Sequence, residues 1–350
     1  MTWLSSCVQG KDNNLNLLRL VASWAVLLSH AWPIARGAAM PQPLEEATGW
    51  TLGEVAVWMF FLVSGLLIAA SWERRPQVGS FLRARALRLF PALVVSIALV
   101  GLVMGPLVSA LPLGEYLGHR GTWSFLARNW TLVQPQYTLP GVFEQNPYPT
   151  VEGSIWTLWH EVVCYLGVLL AGLAGLLQRR RTTLVLIAAY ALGLSWIGRT
   201  PEVLLHPRLD QSLRLAVPFA LGTGAWLLRE RVPISWWVSL LLSGVAWAAH
   251  STWAGTLLFQ VALLSWTLWL AYGIRGRIRA FNRVGDYSYG IYIYAFPIQG
   301  LVQWLDPDLG PLGNAAWATL LTLALAIPSW HWIERPALAR KRPTAPPTDG

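Results

Sequence analysis

Charge is scarce in this chain. Of its 350 residues only 12% are Asp, Glu, Lys or Arg, about half the share of an average soluble domain. A soluble globule of this length needs a polar skin that so few charges cannot supply. Cysteine is nearly missing too: Cys7 and Cys164 are the only two, which excludes a secreted disulfide scaffold. No His or Cys pairs have the spacing of a metal site, so no metal is expected. No Gly-rich phosphate loop or dinucleotide turn is present. The internal repeat that marks many secondary transporters is absent as well. The N-terminus lacks a basic region, an apolar run and a small-residue cleavage site in that order, so the first span is expected to be its own insertion signal.

What is abundant is apolar surface. Hydrophobic residues make up 55% of the chain, with 22 Trp, and the mean hydropathy is +0.45. Such a chain does not stay disordered. The fold class expected is an all-α polytopic membrane bundle. A helix needs about 20 mostly apolar residues to cross a bilayer. Ten stretches qualify: 15–32, 53–72, 90–110, 154–177, 183–198, 213–228, 234–250, 254–273, 287–305 and 314–333. Their polar alternation is too weak for a transmembrane barrel.

The cations give the orientation, because Lys and Arg are retained in the cytoplasm. With the N-terminus inside, the inner segments hold Lys11, Arg74, Arg75, Arg83, Arg85, Arg88, Arg179 to Arg181, Arg229, Arg231, the four arginines of 275–283, and Arg335, Arg340, Lys341 and Arg342. The outer ones hold only Arg36, Arg120, Arg128, Arg199 and Arg208. The net charge of +9 thus follows from topology, and nucleic acid is not an expected partner. Residues 1–335 read as one membrane domain, with a structured outer loop at 111–153. Residues 336–350, rich in proline and charge, read as a cytoplasmic tail.

An ionisable group inside a span costs several kcal/mol, so it faces a partner or a wet cavity. Arg19 and His30 share the first span. Eleven residues return a helix to within about 20° of the same direction and advance it about 16 Å. One face therefore carries a cation near the cytoplasm and an imidazole deeper in. Either this face lines a cavity where His30 is base or nucleophile and Arg19 meets an anion, or Arg19 snorkels and His30 bonds a carbonyl. Glu161, seven residues into the fourth span, needs a partner. His30 or Arg19 would serve, with Glu161 orienting the imidazole as the acid does in a hydrolase triad, or the carboxylate belongs to a structural ion pair. In the inner segment, Arg85 and Arg88 are three apart and share a helical face. They form either a fork for phosphate oxygens or part of a basic girdle on lipid headgroups.

These stretches together resemble the acyltransferase-three family, polytopic enzymes that O-acylate sugars of bacterial surface and exported glycans. The likeness is carried by NLNLLRLVASWAVLLSH, GEVAVWMFFLVSGLLIAASW, FLRARALRLFPAL, LPGVFEQNPYPTVEGSIWTLWHE, GDYSYGIYIYAFP and IERP, in order from about residue 13 to 338. It departs at Asn16, where many members have Asp, at Ala295, where many have His, and at Glu152, where many have Asn. The resemblance implies transfer of an acyl group, usually acetyl from acetyl-CoA, across the bacterial inner membrane. Arg85 and Arg88 would bind the donor's nucleotide, and its arm would pass Arg19 toward His30. A hydroxyl of a glycan or lipid-linked sugar would enter from the periplasm near 111–153. His30 would take the hydroxyl proton or accept the acyl group itself, with Glu161 balancing its charge. The alternative is a lipid-linked sugar transporter or flippase without covalent chemistry.

Overall fold

The computed structural model describes residues 2–8, 10, 12–197 and 207–340. The tail expected at 336–350 lies outside the described residues from 341 on, as do Lys11, Arg199, Lys341 and Arg342. A helix stands at each of the ten predicted stretches. In chain order these are α1 (Leu15–Arg36), α2 (Leu52–Arg74), α3 (Val78–Leu99), α4 (Trp156–Leu173), α5 (Arg180–Ile197), α6 (Pro207–Leu227), α7 (Trp236–Ala248), α8 (Gly255–Leu268), α9 (Ser288–Leu305) and α10 (Pro311–Ser329). Among the described residues six helical stretches are long and apolar enough to cross a membrane: α1, α2, α4, and α3, α8 and α10 with their continuations to Val108, Gly273 and Ala339. The architecture is an all-α membrane bundle.

Local chemistry sets the boundaries. Thr51 and Glu54 form a capping box at the start of α2, each side chain accepting the other's backbone N–H, which satisfies two donors a helix start leaves open. Past α3 the chain widens into a π turn at Val100–Met104. There the Gly101 carbonyl would face the nitrogen of Pro106, which carries no hydrogen. The Tyr116 hydroxyl supplies the missing donor at 2.8 Å, and so a short helix of the following segment is pinned to the bundle.

The tightest seam joins α2 to α6. A Cβ at Gly65 would lie 1.9 Å from the Phe219 carbonyl oxygen, and one at Gly222 would lie 2.0 Å from that of Leu62. Both backbones touch because neither residue has a side chain there. α1 packs in turn against α2, α9 and α10, so its polar face is enclosed by helices. Residues 132–155 run against α9. Phe143 fills the space left by Gly300, and the Asn146 amide donates to the Gly300 carbonyl at 2.9 Å.

Candidate active site

α1 delivers Arg19 and His30 to two different surroundings. His30 is half-buried and lines a cavity of about 790 Å³, within the range of about 300–1,000 Å³ usual for small-molecule sites. Its ring touches Phe296 edge-on, with centroids 5.2 Å apart. That contact depends on Gly153, since a Cβ there would lie 2.4 Å from the Phe296 ring. Tyr292, one turn earlier on α9, also lines the cavity and donates its hydroxyl to the Ser154 carbonyl at 2.9 Å. Gln42, Thr51 and Ser251 to Trp253 also line the cavity. They sit at the bundle end opposite Asp12, Glu73 and Arg279, so the cavity belongs to that opposite end.

Arg19 lies in a cluster of charges near the start of α1. It donates to Asp286 Oδ2 at 2.7 Å, and Arg88 donates to the same oxygen at 2.7 Å. Ser288 Oγ holds the other oxygen at 2.5 Å. Arg88 also lies 4.0 Å from Glu334 and over the Tyr289 ring. Burial alone would raise the Asp286 pKa, but the Arg19 and Arg88 guanidiniums outweigh it and hold the carboxyl well below the usual carboxylate range. Asp286 thus ties α1 to α3 at the foot of α9.

Arg85 is placed differently from Arg88. It has no carboxylate within ion-pair distance among the described residues. Its guanidinium lies over the rings of Phe81 and Tyr165 and reaches Ser71 Oγ only at 3.4 Å. Its buried Nε–H has no acceptor among the described residues. Glu161 accepts from Ser64 at 3.2 Å and from the hydroxyl of Tyr165, the same ring that lies under the Arg85 guanidinium.

The structure therefore gathers four of the five expected residues, Arg19, Arg85, Arg88 and Glu161, into one neighbourhood. His30 stands apart from them. No hydrogen bond joins Glu161 to His30, and the triad-like pairing expected for the imidazole is not formed. The reason is reach: Ser64 and Tyr165, on α2 and α4, already hold the carboxylate at the arginine end. The fork expected of Arg85 and Arg88 is likewise uneven, because Asp286 and Glu334 neutralise Arg88.

Sequence reasoning missed Asp286. It closes an arginine-rich connection, where an acid reads as solvated. The signal was the run GDYSYG, which places this acid directly at the start of a buried helix. The departures also find places. Ala295 packs against Leu27 and Ala31 beside His30. Glu152 is fully buried, with one oxygen accepting from Ser154 Oγ at 2.9 Å and the other without a partner among the described residues. Burial pushes its carboxyl up to about 8 against the pull of the Ser154 hydrogen bonds.

Residues 12–331 match the sequence profile of a family described as an acyltransferase domain. The chain belongs to this acyltransferase family. It is similar to the O-acetyl transferase of Shigella phage Sf6, with 27% identity over 352 residues, covering 95% of this chain and 98% of the relative. It is also similar to Nodulation protein 10 of Rhizobium leguminosarum bv. viciae, with 30% identity over 361 residues, covering 94% of each. No solved structure matches the chain. For an acyltransferase the layout is economical: a cationic cluster and an imidazole-lined cavity share one helix, about 16 Å apart along its axis.

Proposed function

We propose that this acyltransferase moves an acyl group, most simply acetyl, from acyl-CoA at the arginine end to a hydroxyl of an exported or lipid-linked glycan in the cavity. The carrying observation is His30 on the wall of a large cavity, its ring without a hydrogen bond among the described residues, on the helix that holds Arg19 among the cations. In this reading the arginine end is cytoplasmic, the membrane is the bacterial inner membrane, and the cavity opens to the periplasm, as the arginine distribution supports. The similarity to an O-acetyl transferase supports an oxygen ester as the product.

The chemistry balances without a further reactant. His30 removes the proton of the acceptor hydroxyl, the oxygen attacks the thioester carbonyl, the C–S bond breaks, and the departing thiolate takes the proton. If His30 is acylated first, the C–S bond breaks and the thiolate takes the imidazole N–H proton; the hydroxyl then attacks the acyl group, the C–N bond breaks, and the ring takes the hydroxyl proton. Arg85, with a buried N–H lacking an acceptor, suits an anionic or carbonyl oxygen of the donor. Arg88 contributes chiefly by fixing Arg19 through Asp286. Glu161 steadies the arginine end rather than the imidazole.

The test is to give the protein in nanodiscs radiolabelled acetyl-CoA and the lipid-linked glycans of its host membrane. Labelled glycan with release of CoA is expected, and Arg85→Ala should raise the KM for acetyl-CoA about tenfold or more with a smaller change in kcat. Neither labelled glycan nor released CoA from the wild type would refute the reading.

A further inference from the structure

The cavity also carries a polar group that the proposed chemistry does not use. Gln260 on α8 is only 4% exposed and lines the cavity. Among the described residues its amide makes no hydrogen bond, so it is left open to whatever fills the cavity. A primary amide offers two donors and one acceptor oxygen. Its neighbour Phe259 packs on Trp50, with centroids 4.7 Å apart, and both rings meet Trp58. Trp50 and Trp58 face the cavity as well. An aromatic wall beside a free amide matches a pyranose, which presents an apolar C–H face and hydroxyls at its edge.

The charges on the lining add a selection. Its ionisable groups are His30, Tyr292, Glu45, Glu54 and Arg214. Glu45 and Glu54 each accept a backbone N–H, from Gln42 and Thr51. Arg214 is paired with Asp210 at 2.7 Å. Among the described lining residues two acids thus face one cation, itself paired with a further acid, so an anionic sugar would meet more repulsion than attraction.

We propose that Gln260, with Trp50 and Trp58, reads the acceptor, taking an uncharged pyranose and turning away a uronate. This rests on the cavity being the acceptor's site. Saturation-transfer NMR on the protein in nanodiscs tests it without acetyl-CoA, so its failure is separate from failure of acyl transfer. The probes are maltotriose, chitotriose and trigalacturonate, with empty nanodiscs as blank. The expected result is saturation transfer to at least one neutral trisaccharide and none to trigalacturonate. Gln260→Met, which keeps shape but removes the amide, should cut the signal at least fivefold, and Trp50→Leu should do likewise. The proposal is overturned if no neutral probe responds with the wild type, if trigalacturonate responds equally, or if both variants keep the full signal.

Discussion

Asp286 does for this site what no single arginine could. Two guanidiniums share one of its oxygens, and each sits in protein where a bare charge is costly. Asp286→Asn should therefore destabilise the fold by about 3–5 kcal/mol, the usual cost of stripping one partner from a buried pair. A lowered melting temperature in detergent would register it, and Arg88→Gln in the same background should recover part of the loss. Glu152 makes a different prediction. Its folded-state value of about 8 exceeds the ordinary value of 4.5. Between those limits the folded chain keeps a proton that the unfolded chain has lost, so stability falls as pH rises from about 4.5 to about 8 and is flat above. Melting curves across that range should show this fall in the wild type and lose that part of it in Glu152→Gln. Much at this scale was legible in the sequence, since Arg19 and His30 do share a helix face. The partners were not, because Asp286 meets Arg19 across 267 positions, and no periodicity reports a contact of that span.

Helices meet here through what they lack. Gly65 and Gly222 let α2 and α6 touch backbone to backbone, and a carbonyl oxygen cannot move aside as a flexible side chain can. Gly65→Val should cost at least the roughly 1–3 kcal/mol of ordinary overpacking and lower the yield of monodisperse protein. Gly167→Ala, on α4 with nothing within 4 Å of the added carbon, should be harmless in the same assay. Sequence patterning locates the helices well, because long apolar runs and arginine-rich joints are strong signals. It does not show which helices meet at Gly65. The π turn at Val100–Met104 was invisible for a related reason: it depends on Tyr116 arriving from the next segment.

Across the whole molecule, α1 is the link between two chemistries. One end of the bundle concentrates arginines around Asp286 and Glu161, and the other holds the cavity that His30 lines. The sequence showed this polarity as an uneven distribution of cations. What the sequence could not show is that the acid expected to serve the imidazole is committed to the arginine end. Under the proposed function, that separation leaves His30 as the proton acceptor on the cavity wall, without Glu161 to assist it. The most direct measurement is acetyl transfer from acetyl-CoA by purified His30→Ala and His30→Gln proteins whose melting temperatures match the wild type. Transfer reduced at least a thousandfold in both is the expected result, and turnover at the wild-type rate in either would contradict the account.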